Sequence, residues 1–160
     1  MRAIARSAAL ISMAAAFAFA DAHDDVIELV TSMANALTEV IVDGNGVERG
    51  RGNVSGFMAV FSKDMPDYDT LKNNVTGLLN EGEVSSSIRT VTEDGDDEAR
   101  SIDLDWVLEV RSLEQDGPII QRREVIHCEL RKGEANKKKQ HWKIVAIKPI
   151  DFFSPAKLAQ

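Results

Sequence analysis

The chain has 160 residues and a net charge of −7, with 26 acidic and 19 basic side chains. An acidic chain repels phosphate backbones, so nucleic acid is disfavoured as a partner. The length is typical of one domain, and a hydrophobic content of 44% is enough for one substantial core. The single cysteine, Cys128, excludes an intrachain disulfide.

Residues 1–20 have the composition of a secretory signal peptide. Arg2 and Arg6 make the start positive, and the Ala-rich apolar stretch behind them is too short for a stable membrane span. Small residues permit cleavage after Ala20 or after Ala22, and both alternatives stay open. We therefore expect an exported protein, periplasmic or secreted, with no stable membrane insertion after cleavage.

Cleavage after Ala20 would leave Asp21-Ala22-His23 at the new amino terminus. The α-amine, two backbone amides and the His23 imidazole would then form a square-planar nitrogen set that suits Cu(II) or Ni(II). The motif resembles the amino-terminal copper site of serum albumins. Any chain with histidine in third place matches this motif, so we favour an ordinary solvated terminus and expect no metal or cofactor.

The first helix is predicted from apolar residues that recur at helical spacing between positions 26 and 41. Asp25 is its expected N-cap, with Glu28 as the capping-box partner, and the helix is expected to end near Gly44. Residues 43–53 then form a Gly-rich loop. Arg49 and Arg51 suggest a phosphate-binding loop, but the glycine pattern lacks the Lys-Ser/Thr ending, so a flexible surface connection is favoured.

Two further helices are predicted before the spacing of the apolar residues changes from helical to alternating. Asn53 is expected to cap a short helix over residues 54–63, and Asp67 a third helix that begins at Tyr68. From Val84 onward the apolar residues alternate, which predicts strands. The predicted strands cover residues 84–92, 99–113, 119–131 and 141–153.

The last of these strands should stop pairing at Pro149, and Phe152 and Phe153 should anchor the tail in the core. Trp142, Ile144 and Ala146 are expected to share one face of this strand. Glu93-Asp94-Gly95-Asp96-Asp97 is read as the turn between the first two strands. Short turns between four strands predict an antiparallel meander, and three helices before it make an α+β fold.

Four segments carry a resemblance to the nuclear transport factor 2-like superfamily, which includes SnoaL-like and ketosteroid isomerase-like proteins. They read FMAVFSKDMPDYDTLKNNV, SIDLDWVLEVRS, REVIHCELRK and WKIVAIKPIDFF. The resemblance covers residues 24–155 as one domain. It implies a cone-like roll, in which three N-terminal helices pack on a strongly curved antiparallel sheet of about four strands and enclose a pocket. This fold carries enzymes and plain binding modules alike.

A pocket in such a cone would be lined by residues of the helices and of the inward strand faces. The inward set is largely apolar and offers no general base, so no catalytic residue is assigned. Tyr68, Arg122 and Glu124 are the polar candidates for the pocket mouth. The predicted lining residues are Phe57, Phe61, Tyr68, Leu71, Trp106, Leu108, Ile126, Cys128, Trp142 and Ile144.

The outward strand faces carry charged and β-branched residues. Asp103 and Asp105 share the outer face of one strand, about 7 Å apart, and are expected to be solvated or part of a dimer interface. His127 also faces outward without a second ligand at metal spacing, so a structural or interfacial role is expected. Cys128 faces inward and should be a buried, inert thiol.

Together these patterns predict an exported module that binds a small apolar molecule or another protein and forms a homodimer through the outer sheet face. The alternative is a lyase or isomerase of the cone fold that acts on a small hydrophobic substrate, with Tyr68, Glu124 or Arg122 in the pocket. The sequence does not decide whether the protein is an enzyme.

Overall fold

The computed structural model describes residues 11–42, 44–46, 48–113, 117–133 and 141–156. In this part of the chain it contains the α-helices α1 (Ile11–Ala36), α2 (Val54–Met58) and α3 (Tyr68–Glu81). A four-stranded antiparallel sheet follows them. The predicted α+β class, with three helices ahead of a four-stranded meander, is therefore confirmed.

Helix α1 differs from its prediction at both ends. It begins before Asp25, so Asp25 and Glu28 lie in the interior of the helix rather than at a capping box. It ends at Ala36 and not near Gly44, because the β-branched run Val40–Val42 (β1) pairs with Glu48–Arg51 (β2) as an antiparallel hairpin. Part of the predicted Gly-rich loop is thus a strand.

Helices α2 and α3 are capped differently at their N-termini. The Asn53 side chain accepts a hydrogen bond of 2.7 Å from the backbone N–H of Gly56, so the predicted N-cap of α2 is confirmed. Asp67 makes no such side-chain bond, because its backbone is left-handed at φ 61°. The Asp67 carbonyl instead accepts a hydrogen bond of 2.8 Å from the N–H of Leu71.

The strands of the sheet are β3 (Gly82–Gly95), β4 (Ala99–Ser112), β5 (Ile119–Lys132) and β6 (Trp142–Lys148). They lie in the order β3-β4-β5-β6, each antiparallel to its neighbour. Strand β6 ends before Pro149, as predicted, and Glu93 and Gly95 belong to β3 rather than to a turn.

Two register shifts change which side chains face the helices. In β3 the pairing with β4 skips Val91, so that Glu93 stands opposite Ile102 on the inner face. In β6 the pairing with β5 skips Val145. As a result Ile147 is buried at 4% exposure, whereas Ala146, predicted to face inward, is half-buried.

The inner face of the sheet is the floor of one apolar core. Helix α1 contacts β3 and β6 above this face, and α3 contacts β3 and the 3-10 helix Ile150–Phe153. Phe153 is fully buried, with its ring centre 5.1 Å from that of Trp106 and 5.4 Å from that of Phe57. The predicted anchoring of the tail by Phe152 and Phe153 is confirmed.

Replacing Phe153 with alanine should remove the ring that joins the sheet to α2. We expect Phe153→Ala to lower the free energy of unfolding by about 3–5 kcal/mol, because it deletes a fully buried aromatic side chain and leaves a cavity. Urea unfolding followed by tryptophan fluorescence measures this loss. Leu113→Ala, at a position that is 71% exposed, is the control and should stay within about 0.5 kcal/mol of the parent. A loss below about 1 kcal/mol for Phe153→Ala would contradict this role.

Candidate functional site

Most residues predicted to line a pocket are packed in the core. Nine of the ten are exposed by 3% or less, and Tyr68 alone is half-buried. The buried indole of Trp106 donates to the Ser86 hydroxyl at 2.9 Å, and its ring packs on Phe152 and Phe153. The C-terminal aromatic rings therefore occupy space beside Trp106 that the resemblance assigned to a pocket.

A cavity of about 440 Å³ lies outside this core, at Tyr68, and is called the Tyr68 cavity below. Its walls come from α2, the segment behind it, the first turns of α3 and the start of β6. The apolar lining residues are Val54, Met58, Ala59 and Phe61, and the polar ones are Ser55, Ser62, Lys63, Tyr68, Lys72 and Lys143.

Backbone bonds fix the wall that separates the Tyr68 cavity from the core. The segment after α2 runs beside β6: Ile144 donates its N–H to Val60 at 2.9 Å, and Ser62 donates to Ile144 at 2.8 Å. Phe61 turns into the core between these bonds, at 3% exposure. The Lys143 ammonium donates to the Ala59 carbonyl. The apolar floor and one cation of the cavity thus have defined positions.

Arg122 and Glu124 lie at a different place. Both line a shallow cavity of about 400 Å³ beside Pro149 and Asp151. The Arg122 guanidinium donates to the carbonyls of Phe152 at 3.0 Å, Ser154 at 2.5 Å and Pro155 at 2.9 Å. Arg122 is thus occupied in holding the C-terminal tail. The three residues named for a lyase or isomerase are divided between two cavities, which share no lining residue among those described.

The Cys128 thiol is fully buried in the core. Burial raises the pKa of this thiol to about 12, and the charge of Asp103 adds to the rise. A thiolate is the nucleophilic form of cysteine, and at neutral pH almost none is present at such a pKa. The structure therefore agrees with an inert thiol at this position.

The sequence did not predict a buried ion pair that lies at the far end of the sheet. The Arg100 guanidinium, with 7% of its side chain exposed, donates to Glu93 at 2.6 Å, and Glu93 also lies 2.5 Å from Nδ1 of His23 on α1. The shift in β3 that turns Glu93 inward is not visible in the sequence. Arg100 and Ile102 are two residues apart on one strand, so their side chains lie on the same face of the sheet. This spacing alone predicts that Arg100 faces inward.

On the outer face of the sheet, charged residues of three strands form two groups. Asp105 on β4 accepts two hydrogen bonds from Arg123 on β5, at 2.8 and 2.7 Å, and one of 2.9 Å from Arg89 on β3. Asp103 accepts from the Thr92 hydroxyl at 2.6 Å and lies 2.7 Å from Nδ1 of His127. Asp103 and Asp105, predicted to be solvated or interfacial, are thus held in cross-strand contacts.

These contacts lower the pKa of both carboxyl groups. The bonds from Arg123 are the main cause for Asp105, whose pKa falls to about 2, and Arg89 adds to them. The pKa of Asp103 is lowered chiefly by the hydrogen bond from Thr92 and then by that to His127. Both groups are anionic at neutral pH and are engaged as acceptors, which does not favour either of them as a general acid.

Neither a metal site nor a membrane span emerges from the described residues. They contain no group of three or more His, Cys, Asp or Glu side chains with the geometry to hold a metal ion. No helix in the described ranges is long and apolar enough to cross a membrane. Copper at a terminus beginning with Asp21 would require Nδ1 of His23 to leave Glu93 and residues 21–23 to leave α1.

Comparisons with known proteins leave the chain unassigned. No known protein family matches it. No curated protein shows significant sequence similarity to it either.

The lowered pKa of Asp105 predicts how its contribution to stability depends on pH. Ionised Asp105 binds Arg123 and Arg89 in the folded state, and its pKa is 3.8 without these contacts and about 2 with them. Its contribution should therefore be complete above about pH 5 and should disappear as the pH falls from about 4 to 2.

The difference in urea midpoint between the parent and Asp105→Asn measures this contribution. The difference should be constant between pH 5 and 7 and should shrink steadily below pH 4. Asp24→Asn, at an exposed position of α1, controls for the loss of one negative charge. A difference that grows towards low pH would rule out the assigned role of Asp105.

Proposed function

We propose that the protein is an exported small-molecule-binding module of the nuclear transport factor 2-like type, and that its ligand binds in the Tyr68 cavity. The observation that carries the proposal is the composition of this cavity. Its lining combines the apolar side chains of Met58 and Phe61 with Tyr68 and several other polar residues. Small-molecule sites commonly combine an apolar lining with a few polar groups, in cavities of about 300–1,000 Å³.

The family part of the proposal is supported by the order of the elements and by the quoted sequence resemblance. Three helices precede a meander with the order β3-β4-β5-β6, and the last strand of the meander begins with Trp142. A fold of this kind hosts unrelated functions, so the function is argued from the cavity itself. Because Phe152 and Phe153 fill space beside Trp106, the ligand is assigned to the Tyr68 cavity rather than to the cone interior.

Export is proposed from the composition of residues 1–20. Arg2 and Arg6 precede an apolar stretch and two acceptable cleavage positions. Ala22 is 2% exposed and belongs to the core, so cleavage after Ala20 would keep a buried side chain that cleavage after Ala22 would remove. The buried positions from Val26 onward would be retained in either case.

Filling the Tyr68 cavity should abolish ligand binding without disturbing the core. Ser55 is exposed on α2 and lines the cavity, so Ser55→Trp places a large ring into the space. We expect the parent to bind the uncharged dye Nile red and Ser55→Trp to lose at least about tenfold in affinity. Fluorescence titration of the purified protein measures both. Ser85→Trp, the same change at an exposed position of β3 away from the cavity, should bind like the parent. Equal binding by all three proteins would refute the site.

Self-association through the outer sheet face is a second candidate function. Val91 and Val125 are 50% and 52% exposed in the sheet, next to the cross-strand groups of Asp103 and Asp105. This face carries carboxylates together with the guanidinium groups of Arg89 and Arg123. A two-fold axis presents the same patch on both copies, so a patch with both signs of charge around an apolar centre can pair with itself. We propose a homodimer formed in this way.

A charge placed in the centre of the outer face should dissociate the proposed dimer. Val125→Asp brings a carboxylate next to Asp105, its partner on β4, and next to its own copy across the two-fold axis. We expect sedimentation equilibrium to give a dimer mass for the parent and a monomer mass for Val125→Asp. Val40→Asp, at a 47% exposed position of β1 outside the four-stranded sheet, should remain dimeric. A monomeric parent at high micromolar concentration would remove the proposal.

A further inference from the structure

We infer that the ligand of the Tyr68 cavity is a small anionic amphiphile, with a carboxylate or phosphate-monoester head on a compact apolar body. This inference rests on the proposed binding function and specifies the class of ligand. It departs from the sequence expectation of an apolar molecule, because the structure brings together three lysines from three separate segments of the chain: Lys63, Lys72 and Lys143.

The charge at the Tyr68 cavity is opposite to that of the chain. The protein carries a net charge of −7, yet none of the described residues that line this cavity is acidic. Within the described ranges no ion pair uses any of the three lysines; the carboxylates in those pairs are Glu93, Asp103, Asp105 and Glu109. Three cations that face one cavity without a carboxylate partner repel one another, and an anion between them relieves that repulsion.

The fold brings the three lysines to the cavity from separate segments. Tyr68 and Lys72 are four residues apart on α3, so their side chains lie on the same face of that helix. The Lys143 ammonium is held at the Ala59 carbonyl, and Lys63 comes from the segment between α2 and α3. Ser55 and Ser62 add hydroxyl donors to the lining. Ammonium and hydroxyl groups together supply the hydrogen bonds that a carboxylate or phosphate oxygen accepts.

The size of the cavity limits the apolar part of the ligand. About 440 Å³ corresponds to roughly 15 water molecules at about 30 Å³ each. One or two fused rings, or a short branched chain, fit this volume with their anionic head among the lysines. The buried side chains of Met58 and Phe61 give such a body an apolar surface to contact. Lysines act as point charges and do not require a planar head group, so carboxylate and phosphate are both accepted.

The matched ligands 2-naphthoate and 2-naphthamide test the charge requirement, because they have the same ring system and nearly the same shape. We expect isothermal titration calorimetry on the full-length purified protein to show naphthoate binding at least about tenfold tighter than naphthamide. Raising the salt concentration should reduce this preference, since the contacts are partly exposed to solvent.

Single lysine variants locate the effect. Lys63→Gln and Lys72→Gln should each weaken naphthoate binding about three- to fivefold more than they weaken naphthamide binding, as expected for partly exposed ion pairs. Far-UV circular dichroism checks that each variant is folded. Lys148→Gln makes the same change in charge at an exposed position of β6 outside the cavity, and it should bind both ligands like the parent.

The outcomes separate this inference from the proposed function. Equal affinities for naphthoate and naphthamide, or an equal loss for Lys148→Gln, would overturn the anionic ligand while leaving a binding cavity. Absence of binding by Nile red, naphthamide and naphthoate alike would refute the cavity as a binding site altogether. Sedimentation with vesicles of phosphatidylcholine and phosphatidylglycerol tests the other source of an anionic head. Binding to these vesicles that Lys72→Gln abolishes, with no binding of soluble naphthoate, would overturn the inference in favour of a membrane surface.

Discussion

The packing of Phe153 between the sheet and α2 determines where this molecule has room for a ligand. Its ring lies edge-on to Trp106 at 5.1 Å and to Phe57 at 5.4 Å, and all three side chains are fully buried. Such aromatic contacts contribute beyond the area that they bury, and close packing leaves little space for anything else. The resemblance to a cone fold suggested an interior pocket beside Trp106, but the end of the chain supplies rings at that place.

The C-terminal tail stays in the core because polar contacts bind it on two sides. The Arg122 guanidinium on β5 donates to three backbone carbonyls of the tail, and the carboxylate of Glu81 at the end of α3 accepts the N–H of Ala156. Charge-assisted hydrogen bonds of this kind are stronger than neutral ones. Helix α3 is thus fixed to the tail at one end and carries Tyr68 at the other. The contacts that close the core therefore also position one wall of the Tyr68 cavity.

The sequence predicted the large elements well, because their signals are periodic. The alternation through Ile102, Leu104 and Trp106 identified both β4 and its buried face, and the Asn53 cap was read from residue type alone. The predictions fail where pairing with another strand overrides the local sequence pattern. Val40–Val42 continues the helical spacing, yet it pairs with β2, and a skipped residue in β6 buries Ile147 in place of Ala146.

The candidate site was harder to predict than the fold, since its members come from separate segments. Tyr68 and Phe61 were both predicted to line a pocket, and both line the Tyr68 cavity. Lys63 and Lys72 were not predicted to line it, because they are ordinary surface residues in the sequence. Only the pairing of Ile144 with the chain around Phe61 brings Lys143 of β6 to the same cavity. Arg122 was a polar candidate for the pocket mouth, but no sequence pattern shows that its guanidinium binds carbonyls of the distant C-terminal tail.

The distribution of charge explains why an acidic chain can still bind an anion. Carboxylates on the outer sheet face and at the far end of β3 bond with arginines: Asp105 with Arg123 and Arg89, and Glu93 with Arg100. Their fields are therefore partly neutralised over short distances, and solvent screens the remainder beyond about 8 Å at physiological ionic strength. An anion inside the Tyr68 cavity lies against the three lysines of its lining, which includes no acidic residue among those described. The net charge of the chain lowers the rate of encounter with anions, whereas the local arrangement of the lysines determines the affinity.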